Sequence, residues 1–176
     1  MSDLVTILRF RDLMRPKGET IRKHRAIIQE HGYVWWGWVK REDEIEPLDL
    51  LDVLQDEIIQ AGFAPALLYH SGVGGFYPAK ISQLSAFPGG YGTSTPSVQH
   101  TPVYMHEAPC PIWFQMNEIS DVCIELELSD VLYEALPTLK PDAVAPNEQP
   151  GQPVNNIRSL HRSAATLLRV RVSTSW

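Results

Sequence analysis

Tyr33-Val34-Trp35-Trp36-Gly37-Trp38-Val39-Lys40 holds three of the chain's five tryptophans and a tyrosine around a single glycine. Aromatic and β-branched residues in a row predict a strand, and alternation along a strand puts Trp36 and Trp38 on one face with Trp35 on the other. The three tryptophans therefore meet two environments. One is a protein core, the usual place for a strand tryptophan; the other is either a helix packed on the outside or a ring-stacking pocket. A pocket of that kind suits a nucleobase, at about 1–3 kcal/mol per stacked base. Gly37 falls where another group approaches the backbone closely, or at a bulge.

Outward from this strand, the N-terminal run Leu4-Val5-Thr6-Ile7-Leu8-Arg9-Phe10-Arg11 predicts another. Arg9 and Arg11, two apart, share a face there, either as solvated charges at a strand end or as ligand contacts. Residues 19–31 read as a helix closed by Gly32, with Ile21, His24, Ile27 and Ile28 on or near one face. A second helix is predicted over residues 47–61, with Leu48, Leu51, Leu54 and Ile58 as its buried stripe and Gly62 as its stop. Its Asp49, Asp52, Asp56 and Glu57 read as solvated charges, since no histidine or fixed loop accompanies them to make a metal site.

Residues 66–70 and 75–84 read as strands around the turn Ser71-Gly72-Val73-Gly74. Residues 88–111, rich in Gly, Pro, Ser and Thr, read as a long irregular insertion. Further strands are expected at 112–116 and 122–126, and a short helix begins at Ser129 and ends at Pro137. This gives an α+β domain over residues 1–140. Residues 141–156, with four prolines, read as a linker or long loop, and residues 157–176 as a basic segment that packs on the domain or leads to a partner domain.

Length and composition bound the function. A chain of 176 residues and 19.9 kDa suffices for one domain burying roughly two thirds of its unfolded surface. Hydrophobic residues at 44% and charged residues at 20% exclude wholesale disorder. Apolar runs such as 63–69 are far too short for a membrane span. The run 4–8 is cut off by Arg9 and Arg11, so no signal peptide is evident and a cytoplasmic location is expected. Cys110 and Cys123 are expected as reduced, mostly buried thiols.

Charge is segregated along the chain. Residues 1–41 carry nine Lys/Arg against four Asp/Glu, residues 42–134 one against fifteen, and residues 135–176 five against two. The net charge of −6 argues against coating duplex DNA by charge alone, whereas a small anionic ligand or one short strand fits a local basic patch. Lys80 is the only Lys or Arg between Arg41 and Lys140, and reads equally as a surface partner for an acid or as a ligand contact.

No catalytic signature emerges. His70 beside Ser71 places a base next to a nucleophile, yet Tyr-His-Ser-Gly-Val-Gly-Gly lacks the elbow arrangement and a third member. Its glycines also lack the lysine, threonine and helix of a phosphate loop, which favours a hairpin turn. His100, His106 and Cys110 have no fourth partner for zinc. No cofactor or metal is expected.

Three segments carry a resemblance: Val34-Trp35-Trp36-Gly37-Trp38, Phe76-Tyr77-Pro78-Ala79-Lys80-Ile81 and Ile112-Trp113-Phe114-Gln115-Met116-Asn117-Glu118-Ile119. Through them the chain resembles the PUA-like superfamily, which includes the EVE, ASCH and YTH domains, over roughly residues 4–136. It is also similar to regions that precede calcineurin-like phosphoesterase domains in bacterial proteins, although the metal motifs of the phosphoesterase are absent. The resemblance implies a small mixed β-barrel with two or three flanking helices. It implies a non-catalytic sensor module for a nucleotide, a modified base or short nucleic acid, including RNA, held in an aromatic cleft. The candidate ligand residues are Arg9, Arg11, Trp35, Trp36, Trp38, Lys40, His70, Ser71, Lys80 and Trp113. Two readings stand against this one. The aromatic and proline-rich surfaces dock a partner protein, an effector or a second copy of the chain, or an enzyme uses His70 with Ser71 or the loop histidines.

Overall fold

The aromatic strand lies at the edge of a six-stranded mixed sheet ordered β2-β5-β4-β3-β1-β6 in a computed structural model. Residues 4–10, 12, 18–39, 48–70, 75–86, 92–123 and 167–171 are described. The strands are β1 (Leu4–Phe10), β2 (Val34–Trp38), β3 (Ala64–His70), β4 (Gly75–Ala86), β5 (Ile112–Ile119) and β6 (Leu167–Arg171). The helices are α1 (Glu19–His31) and α2 (Leu48–Ala61). Among the described strands, only β1 and β3 run parallel; the other pairs are antiparallel. β3 and β4 are antiparallel neighbours whose register ends at His70 opposite Gly75; the turn expected at Ser71-Gly72-Val73-Gly74 lies outside the described residues.

The helix bounds follow the sequence closely. Gly32 adopts φ 88°, a left-handed conformation that costs glycine nothing, and its N–H donates to the Ile28 carbonyl at 2.8 Å. Ile21 and His24 are buried and Ile27 and Ile28 pack against the same core, as the periodicity predicts. On α2, Leu51 and Leu54 are buried while Asp52 and Asp56 are exposed.

Alternation divides the sheet into two faces. Leu8, Phe10, Leu68, Ile81, Phe114, Met116, Trp36 and Trp38 share a core with Ile21 of α1 and Leu51 and Leu54 of α2. Both helices therefore cover one face. On the other, Trp35 and Trp113 form a second core with Met105, Ala108 and Cys110.

One contact reveals the curvature. Phe10 of β1 and Trp36 of β2 meet edge to face with ring centroids 5.5 Å apart, yet three strands separate β1 from β2 in the sheet. A flat sheet would hold those strands roughly 19 Å apart, at about 4.8 Å per strand. The sheet is therefore curled into a half-barrel, and Phe10 and Trp36 close its seam on the helix side.

Several expectations change. Residues 92–111 are ordered, with 3-10 turns at Val98–His100 and Val103–Met105. Reciprocal hydrogen bonds of 3.0 Å between Thr93 and Cys110 close the segment, because its apolar residues find a core of their own under Trp35. Val122 and Cys123 lie outside any strand, and Cys123 is exposed instead of buried; the remainder of the strand expected at 122–126 lies outside the described residues. So do the helix from Ser129 and the linker at 141–156. The C-terminal segment, read as a basic stretch that packs on the domain or leads to a partner domain, contributes β6, which pairs with β1 from Leu4 opposite Arg171 to Leu8 opposite Leu167. No helix among the described residues is long and apolar enough to cross a membrane.

Candidate functional site

The candidate site residues do not converge on one place. Trp36, Trp38 and His70 belong to the helix-covered face; Arg9, Trp35, Lys80 and Trp113 alternate to the opposite one. Arg11, Lys40 and Ser71 lie outside the described residues. All three β2 tryptophans are enclosed, with Trp35 and Trp36 5% exposed and Trp38 2%.

On the outer face the residues read as structural. Trp113 is fully buried and donates Nε1–H to the Thr93 carbonyl at 3.1 Å, which fixes the loop beneath it. Gly37 is the glycine of close approach, since a Cβ there would lie 2.6 Å from Cys110 Sγ and 2.7 Å from the Trp113 ring. Burial pushes the Cys110 thiol up to about 12, so it stays protonated and poorly suited to bind a metal. His106 donates Nε2–H to the Thr101 carbonyl at 2.8 Å, and His100 bonds Ser97 while stacking on Tyr33. No cluster of three metal-ligating side chains occurs among the described residues.

Two cations are also accounted for. Lys80 pairs with Glu118, its cross-strand neighbour, at 2.7 Å and lies over the Phe63 ring. That matches the reading of a surface lysine beside an acid. Arg9, by contrast, is buried inside β1 and is no solvated strand end.

The chemistry gathers at the seam. Parallel β1 and β3 deliver Phe10 and His70 as register partners at their C-terminal ends, and the His70 ring stands against Phe10 at 4.8 Å. Asp12, two residues past Phe10, meets His70 Nε2 with Oδ2 at 3.2 Å; their side chains are 2% and 5% exposed. The same carboxylate accepts the Gly18 N–H at 2.9 Å, the Thr20 N–H at 3.2 Å and the Thr20 hydroxyl. A carboxylate has about four lone-pair sites, and all are engaged. Asp12 therefore bolts the start of α1 to the sheet and has no free lone pair for service as a general base. Burial works to raise the Asp12 carboxyl, but the bonds from His70 and Thr20, the charge of His70 and the Gly18 N–H together hold it below the usual carboxylate value.

Above this bolt lies a column of rings. His24 donates Nδ1–H to the Thr20 carbonyl at 2.8 Å, which fixes its tautomer and orients its ring. That ring tilts against Trp36 at 4.5 Å and meets half-buried Tyr104, from the second 3-10 turn, at 6.4 Å. Tyr77 approaches Phe10 at 6.2 Å. Burial, Cys123 beside it and the Asp12 charge all push its phenol up.

Asp12, Tyr77 and Tyr104 escaped sequence reasoning. Asp12 lies eight residues upstream of Thr20 and 58 upstream of His70, so neither helix-cap spacing nor a local motif signals it. His24 was visible only as a residue of a buried helix face.

The comparisons with known proteins fit this geometry. A family profile described as Pua-like matches residues 6–175. The match includes β6 but carries nothing of the phosphoesterase association. No curated protein and no solved structure matches the chain.

Proposed function

The chain belongs to the Pua-like family, whose PUA-type modules commonly bind RNA or nucleotides, and from that premise we propose a non-catalytic module that takes a base into the half-barrel seam. The ligand is the base of a nucleotide, a modified nucleoside or a short nucleic acid, and Trp36 is the stacking surface. The observation that carries this is the closure of the curled sheet by Phe10 and Trp36 under His24. This places a nearly enclosed aromatic ring beside oriented polar groups, the usual make-up of a small-ligand site. Trp36 is nearly closed to solvent, so entry requires Tyr104 to give way over His24. A sensor role, in which an effector domain or protein reads the occupied seam, completes the proposal.

Docking of a partner by the β2 tryptophans is less well supported, because residues of the chain itself enclose all three. Calorimetric titration with a panel of nucleosides, nucleotides and methylated bases tests the reading. Binding by at least one ligand is expected, with Trp36→Leu weakening it tenfold or more, a loss of about 1–3 kcal/mol for one stacked base. Absence of binding across the panel, or full affinity in Trp36→Leu, overturns it.

A further inference from the structure

We propose that Lys23 and Tyr104 form the outer end of this seam and that Lys23 meets a phosphate there, so the ligand is a nucleoside phosphate instead of a free nucleoside or base. This rests on the seam as the base site. The sequence places a surplus of positive charge in residues 1–41, and α1 supplies its cations next to the ring column. Lys23 Nζ lies 5.6 Å from the Tyr104 ring centroid. Tyr104 leads to His24, and His24 to Trp36. A single line of groups thus runs from a surface cation to the closed aromatic ring.

The ion pairs around Lys23 favour its release. Arg22 donates to both oxygens of Glu19, from Nε at 2.9 Å and Nη2 at 2.7 Å. Lys23 reaches Glu19 only at 3.5 Å and keeps a side chain 42% exposed. An exposed pair of that length contributes little, so exchanging it for a phosphate costs little. Glu19 remains neutralised by Arg22 after Lys23 leaves. Two other cations near the sheet ends are held more firmly. Arg25 donates Nε–H to the Ile119 carbonyl at 3.0 Å and pairs with Asp121, while Lys80 pairs with Glu118 at 2.7 Å. A lysine acts as a point charge, which suits one phosphate and does not require a fixed bidentate geometry.

The phosphate has two sources, a mononucleotide or the backbone of a short strand. Calorimetric titration with adenosine and cytidine, their 5′-monophosphates, and the hexanucleotides of each tests the proposal and separates them. The monophosphates are expected to bind about tenfold more tightly than the nucleosides. Lys23→Gln should remove most of that advantage and leave nucleoside affinity unchanged, and Glu19→Gln should increase it. A salt dependence equivalent to about one phosphate marks the mononucleotide, and a steeper one the strand. Equal binding of nucleosides and monophosphates, or an advantage retained in Lys23→Gln, overturns the role of Lys23 while leaving the seam intact. If none of the six probes binds, the seam reading fails and takes this proposal with it.

Discussion

The two faces of β2 carry neighbouring tryptophans into opposite kinds of surroundings. Trp35 lies with Trp113, Met105, Ala108 and Cys110, where the Trp113 indole N–H donates to the Thr93 carbonyl and the thiol stays protonated. Trp36 lies against Phe10 and His24; Phe10 in turn meets His70, which is bonded to Asp12, and Tyr77, while His24 meets Tyr104, a ring that also packs on the outer core. A single pleat thus separates a packing face from a chemical face. Tryptophan density alone therefore does not locate a site. The polar groups that alternation brings to one side of it do.

Truncating the packing face should have the largest effect. Trp113→Ala removes a fully buried ring and the anchor of the 92–111 segment, and is expected to cost about 3–5 kcal/mol, read by denaturant unfolding. Unchanged stability would mean that the outer core does not hold the loop. Gly37→Ala attacks the same face by overfilling it. The added Cβ meets Cys110 and Trp113 below 3.0 Å, and a loss of about 1–3 kcal/mol is expected, with ligand affinity of the folded protein retained. Loss of binding without loss of stability would break the division between the faces.

The chemical face responds to acid. The Asp12 carboxyl is held below its unfolded value, so its stabilising contribution is fully present above an unfolded pKa of about 3.9 and is lost as pH falls through the folded value. Asp12→Asn should destabilise the protein at neutral pH by about 1–3 kcal/mol and flatten the stability profile below about pH 4. The same acid limb in both proteins would place its origin elsewhere. The smallest effect concerns the thiols. Cys123 is exposed and Cys110 buried, so a thiol reagent should titrate one group rapidly in the native protein and the second only on unfolding. Two rapid equivalents would show that the outer core opens readily.

Much of the fold was legible because local rules decide it. Gly32 and the spacing of Ile21, His24 and Ile28 set α1, and period-two alternation assigned Trp36 and Trp38 to a face opposite Trp35. Curling was expected only through the resemblance to PUA-like barrels, and no local pattern signals it, since the approach of Phe10 to Trp36 depends on the twist of all the strands between them. The site was legible only in part. Trp36 and His70 were singled out, but Arg9 and Lys80 drew attention through charge, and charge does not report which face a strand residue takes. Asp12 and Tyr104 depend on contacts distant in sequence. β6 escaped because a short paired edge strand and a basic segment share the same composition.

The most direct test follows the indole Nε1–H resonances during titration with the tightest ligand of the panel, with each signal assigned by a single Trp→Phe replacement. The Trp36 signal should shift strongly, while those of Trp35 and Trp113 stay in place. A ligand that moves Trp35 or Trp113 and leaves Trp36 unchanged would contradict the account, because binding would then lie on the face assigned to packing.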